Sequence, residues 1–133
     1  MNAAAQAFAL LEALIYIAVF PLEAFLLPHR PLVQRFLSTP PANVPAVMMW
    51  AIPVGFRNLL IGAGVIAGLV ALHTGHQQEG RALVLYCCAY MVLGGGAMAL
   101  ADALGHYPRK GESLPGTLAA TVPALIAIVI AAF

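Results

Sequence analysis

The chain has 133 residues, 62% of them hydrophobic and 8% charged, with a formal net charge of +1. A mean hydropathy of +0.93 is more apolar surface than a soluble domain of this size can hide, so the composition indicates a single polytopic membrane unit. No basic run is present, which excludes an electrostatic footprint for nucleic acid and leaves the lipid bilayer as the first expected partner.

Four apolar segments are long enough to cross a hydrocarbon core about 30 Å thick at about 1.5 Å per helical residue. The predicted fold is therefore all-α, a polytopic membrane four-helix bundle forming one domain over residues 1–133. The first span is expected at 5–27 and contains Glu12, Pro21 and Glu23. No Lys or Arg precedes it and no cleavage site follows, so it reads as a retained span and not a signal peptide.

A proline-rich connector, Pro28 to Pro45, comes next. Leu32, Val33, Phe36 and Leu37 fall on one helical face there, with Arg30, Gln34 and Arg35 elsewhere. That pattern predicts a short helix lying in the membrane interface, the alternative being a plain loop.

The second span is expected at 46–72, with Pro53 bending it and Arg57-Asn58 inside. Its Gly62, Gly64 and Gly68 include a G-x-x-x-G step, and Gly94-Gly95-Gly96 interrupt the third span, expected at 82–105. Small residues let helices approach closely in lipid. Packing within one bundle is the simpler reading of these glycines, and a homodimer through the same faces is the alternative. Cys87 and Cys88 are adjacent in the third span. Neighbouring helical positions diverge by about 100°, so the pair reads as small packing residues and not a disulfide or metal site. The fourth span, expected at 116–133, is the most uniformly apolar.

The short connectors His73–Arg81 and His106–Pro115 join antiparallel neighbours. Arg30, Arg35, Arg109 and Lys110 fall on one side of the bundle, and the other side has Arg81 besides the α-amine. The positive-inside bias then puts the first and third connectors in the cytoplasm and both termini outside.

Four of the eleven charged residues, Glu12, Glu23, Arg57 and Asp102, fall inside predicted spans. A charge near the bilayer centre costs about 2.5–3.5 kcal/mol on insertion scales, so each such residue is a candidate for function. Depth along the spans places Glu23 ~10 Å and Asp102 ~13 Å toward the cytoplasmic side, with Arg57 within ~3 Å of the centre. Glu12 falls ~6 Å toward the outer side, away from any cation. The expected cluster is Glu23, Asp102 and Arg57, with Asn58 beside it. Glu12 shares a helical face with Tyr16, Val19 and Glu23. The candidate catalytic set is Glu23, Arg57, Asp102 and Glu12, and the candidate substrate contacts are Asn58, Tyr16, Tyr86, Tyr90 and Trp50. For Arg57 a purely structural salt bridge is the competing explanation, and for Asp102 it is solvation or capping. No metal-ligand spacing, phosphate loop or cofactor fingerprint is present, so neither a metal nor a cofactor is expected.

The phrases Leu22-Glu23-Ala24-Phe25-Leu26 and Gly55-Phe56-Arg57-Asn58-Leu59 resemble a bacterial family of short integral membrane proteins known as domain of unknown function 1304. Its members carry Leu-Glu-Met-Phe late in the first helix and Gln-Gly-Leu-Tyr-Asn-Gly in the second. Glu23, Gly55 and Asn58 match, and the four-span layout covers nearly the whole chain. Arg57 stands where a tyrosine is usual, Pro53-Val54 replace an Asn-Gln pair, and the family's upstream Glu-His pair has no counterpart. The third connector is also longer. The resemblance implies the fold and lends no chemistry.

Carboxylates, a guanidinium, an amide and phenols inside an apolar bundle suit cofactor-free acid–base chemistry on a small lipophilic substrate, such as isomerisation, cyclisation or epoxide opening. Two other classes compete with it. A proton-coupled carrier similar in outline to small multidrug-resistance transporters would work through Glu12, although Arg57 would repel a cationic substrate. A non-catalytic accessory subunit of a membrane complex would use the glycine-lined faces.

Overall fold

A computed structural model describes residues 1–132, all of its regular structure being helical. Helix α1 (Ala3–Pro21) starts at Asn2, whose side chain accepts the Ala5 N–H at 2.9 Å. This N-cap satisfies one of the amides that a helix start leaves unpaired. A π-helical turn follows over Leu22–Leu26, closed by the Leu27 N–H donating to the Leu22 carbonyl at 2.9 Å. The connector then forms a short helix, α2 (Pro31–Phe36), and a single 3₁₀ turn over Pro41–Asn43. Helices α3 (Val44–His73), α4 (Gln77–Ala103) and α5 (Leu114–Ala132) complete the chain.

The long helices are the four elements that by length and composition can cross a membrane. They extend a few residues beyond the predicted spans at most ends. The last residue of the predicted fourth span, Phe133, lies outside the described residues. Pro53, expected to bend the second span, lies within one continuous helix. The second residue of the α3–α4 link and of the α4–α5 link is a left-handed glycine, Gly75 at φ +95° and Gly105 at φ +83°. After α4 the Gly105 N–H donates to the Asp102 carbonyl and the His106 N–H to the Ala101 carbonyl, a Schellman closure that requires the positive φ.

The four long helices form a ring in which α1 packs against α3 and α5, and α4 packs against the same two, so that α1 and α4 meet only across the diagonal. The core is built from small side chains. Ala5, Ala9 and Ala13 of α1 are fully buried, whereas Leu60 and Leu93 are 68% and 74% exposed. Large apolar groups on the outside suit lipid, where packing of small residues rather than water exclusion holds helices together. At Gly80 a Cβ would sit 2.6 Å from the Gly68 carbonyl oxygen, so the α3 and α4 backbones touch there. At Gly62 it would sit 2.9 Å from the Ala13 carbonyl oxygen of α1. The span glycines Gly62 and Gly68 are thus consumed by contacts within one chain. Cys87 and Cys88 are buried free thiols, and a Cβ at Gly64 would lie 2.9 Å from the Cys87 sulfur.

Candidate functional site

The sequence-predicted polar residues fall into three places. The first is the junction of the π turn with α3. Pro21 has no N–H, so it cannot donate to the carbonyl four residues earlier, and the chain widens into the π turn immediately after it. Single π turns inside helices recur at functional sites. This one carries Glu23, whose Oε2 accepts a hydrogen bond from Asn58 Nδ2 at 2.7 Å. Gly55 makes that bond reachable. A Cβ there would lie 3.1 Å from the Phe20 carbonyl oxygen and 3.3 Å from Ala24, so only glycine brings α3 this close to the turn. Asn58 is one helical turn further on the same face of α3. Both Glu23 and Asn58 are half-buried. Beside them Phe20, Phe25 and Phe56 form an edge-to-face trio, Phe20 and Phe56 having centroids 4.9 Å apart. Phe25 and Phe56 are about half-exposed on the outside of the bundle.

The second place is the interior between α1, α4 and α5. Glu12 is 0% exposed, and neither carboxyl oxygen has a hydrogen-bond partner. Its neighbours are the Ala124 backbone on α5, Cys88 on α4 and Tyr16 on its own helix. The Tyr16 hydroxyl donates to the Met91 carbonyl at 3.3 Å. Thr117 and Thr121 of α5 also bury hydroxyl oxygens that no protein group bonds. Gly95 of α4 is pressed against Thr121 so closely that a Cβ would overlap its hydroxyl.

The third place is the end of α4. Asp102 Oδ1 accepts the Gly111 N–H at 2.8 Å and Oδ2 the Ser113 N–H at 2.9 Å. Both carboxylate oxygens therefore hold the α4–α5 connector together, which is the capping role weighed against function for this residue.

The expected cluster of Glu23, Asp102 and Arg57 is not assembled. Arg57 is exposed while its neighbour Asn58 turns inward. Adjacent helical positions diverge by about 100°, and the face that α3 gives to α1 is set by Gly55, Asn58 and Gly62. Asp102 is committed to backbone amides. Tyr86 and Tyr90, expected to turn their hydroxyls to the interior, are 69% and 39% exposed, and Trp50, an expected substrate contact, is 62% exposed. The buried faces of their helices are carried instead by Ala51 and Gly55, and by Cys87, Cys88, Met91 and Gly95. Of the expected substrate contacts only Asn58 and Tyr16 face inward.

Sequence reasoning missed two features. The π turn had a signal in Pro21, two residues before Glu23. The α5 hydroxyls had one in their spacing of four residues along an otherwise apolar helix. Among the described residues no group of three or more His, Cys, Asp or Glu side chains could hold a metal ion.

Two clefts lie at the ends of the bundle, and neither is lined by Glu12 or Glu23. One of about 430 Å³ is lined by Gln6, His73, Gln78 and Arg81 among others, with Gln6 and His73 hydrogen-bonded at 2.8 Å. The other, about 310 Å³, lies between the 3₁₀ turn and His106–Pro108.

A family model described as "Protein of unknown function (DUF1304)" matches residues 10–132. No curated protein and no solved structure matches the chain.

Proposed function

The chain belongs to the DUF1304 family, and we propose that Glu23 and Asn58 form its working centre, binding the polar end of a small lipophilic molecule that enters from the bilayer between α1 and α3. The observation that carries this reading is the 2.7 Å Asn58–Glu23 bond built on a π turn. Asn58 occupies one carboxylate oxygen and fixes the group's direction, leaving Oε1 to accept from a substrate. The amide's own oxygen and second N–H remain to orient that substrate. Phe25 and Phe56 supply an apolar approach on the lipid side.

The chemistry this arrangement suits is narrower than the sequence alone allowed. Glu12 lies about three helical turns away along α1, and Asp102 is occupied. One carboxylate therefore stands by itself at this centre. A single group can take a proton from one carbon and return it to another with no net change, which is an isomerisation. Epoxide opening and cyclisation ask for a separate acid and base, and the second group is missing here.

The membrane setting follows from the same bundle. Helix α2 has no buried residue and exposes Leu32 and Phe36 beside Arg30 and Arg35, as a helix lying in the interface does. The end of the bundle bearing α2, Arg109 and Lys110 is the cytoplasmic one by the positive-inside rule, which puts both termini outside a bacterial inner membrane.

Native membranes of a host making the protein, incubated in D2O and extracted, test the chemistry. A proton shuttle enriches one lipophilic compound in carbon-bound deuterium with the native chain and not with Glu23→Gln. Equal labelling from the two, with Glu23→Gln folded and inserted, would discard the reading. Retention of a small apolar molecule in native mass spectrometry, lost in Asn58→Ala and kept in Arg57→Gln, tests binding separately.

A further inference from the structure

The interior between α1, α4 and α5 holds polar groups that the Glu23 centre does not use. Thr117 and Thr121 lie one turn apart on one face of α5, Ala124, whose backbone adjoins Glu12, continues that face, and Ser113, just before the helix, leads into it through its carbonyl, which accepts the Thr117 N–H at 2.8 Å. The ladder starts at Asp102, which accepts the Ser113 N–H. Its steps rise ~6 Å, ~6 Å and ~4.5 Å along the helix axis. Ser113 is 5% exposed, and the Thr117 and Thr121 hydroxyl oxygens are buried without protein partners. Glu12, at the upper end, is completely buried with both oxygens unbonded.

Buried hydroxyls and carboxyls are almost always hydrogen-bonded, to ordered water where protein offers nothing. Hydroxyls one helical turn apart on one face are close enough for ordered water to link them. A carboxyl sealed in a bundle without a cation must be neutralised, since an unpaired buried charge is among the most costly features a membrane protein can carry. No cationic side chain faces it. Its own helix offers Tyr16 and α4 offers Cys88, whereas α5 contains no titratable side chain, and Arg57 of α3 is exposed.

We propose that Glu12 is an internal proton-binding site served by the Ser113–Thr117–Thr121 ladder, which connects it to water at the end of the bundle bearing Arg109 and Lys110. Each oxygen along the ladder accepts one proton from the side of that end and donates one onward. The Glu12 carboxylate takes the last of them and becomes a neutral acid, and the reverse sequence returns the proton. Gly95 is part of the device, because its missing Cβ is what leaves space for the Thr121 hydroxyl in the helix interface. This inference is independent of the Glu23 reading, since it uses different residues and needs no organic ligand.

Infrared spectroscopy of the protein in liposomes tests it, using water itself as the probe. The spectrum at neutral pH should contain a carboxylic-acid carbonyl band that Glu12→Gln removes. Transfer into D2O should shift that band, and the shift should slow by about tenfold or more in Thr117→Val and in Thr121→Val, each of which removes one hydrogen-bonded link. Valine has nearly the shape of threonine, so these variants keep the packing, and Thr39→Val, outside the ladder, should exchange at the native rate. A spectrum unchanged by Glu12→Gln would overturn the proposal, as would native exchange rates in both ladder variants.

Discussion

Glu12 and Glu23 are the same residue type on the same helical run, yet their surroundings are opposite. Glu12 is sealed among Ala13, Cys88 and Ala124, and apart from the adjoining Ala124 backbone no protein group approaches either oxygen as a hydrogen-bond partner. Glu23 sits at a widened turn, bonded to a named amide and half-open toward lipid. Two local causes separate them. Pro21 removes one backbone donor and lets the helix open just before Glu23, whereas around Glu12 the ladder of backbone bonds is regular. Gly55 then admits α3 to the turn, so Glu23 acquires a side-chain partner at 2.7 Å, which Glu12 lacks. The comparison teaches that a carboxyl inside a membrane protein is given its chemistry by what the adjacent backbone can spare.

The contrast can be broken most forcefully at Glu23. Glu23→Gln should lower the rate of deuterium transfer to the lipophilic product by at least about a hundredfold, the scale on which a general acid–base group contributes, with the protein's helix content by circular dichroism unchanged. Asn58→Ala leaves the carboxylate but removes its orientation. A hydrogen bond to a charged group is worth about 1.5–3 kcal/mol, so rate or ligand retention should fall by roughly tenfold or somewhat more.

Gly55→Val attacks the approach of the two helices instead of the chemistry. Its Cβ would meet the Phe20 carbonyl at 3.1 Å, and overpacking of this kind costs about 1–3 kcal/mol, measurable as a lower unfolding midpoint in detergent. Glu12→Leu should have the opposite sign. It replaces a buried carboxyl that no protein group bonds by an apolar side chain of similar length, so the same midpoint should rise, by the equivalent of about 1–3 kcal/mol. A lowered midpoint there would mean that a protein group stabilises Glu12 directly, as Asn58 does Glu23. The smallest effect on this midpoint belongs to Arg57→Gln: the side chain is exposed on the outside of the bundle, so detergent solvates it in the folded and the unfolded chain alike and the change should stay within about 0.5 kcal/mol.

How far these places were legible in the sequence differs from one to the next. The four long helices follow from apolar runs near Ala5, Ala46, Ala82 and Gly116 alone. The short helix at Pro31–Phe36 follows from the spacing of Leu32, Val33 and Phe36. Inside the site, Asn58 was placed beside Glu23 from depth alone, and the capping of the connector by Asp102 was one of the two roles weighed for it. Arg57, Tyr86 and Tyr90, expected toward the interior, and Trp50, an expected substrate contact, are exposed instead.

The reason is physical. In water the apolar face of a helix marks its inside, but a helix between lipid and an apolar core is apolar all round, so composition fixes its length and depth without fixing its rotation about its own axis. The chain alone thus determined how many of its helices are long and apolar enough to cross a bilayer and roughly where they run. Which groups face one another was decided by the close approaches at Gly55, Gly62, Gly68 and Gly80 and by the turn after Pro21, because only backbone contact sets the phase of each helix against its neighbour.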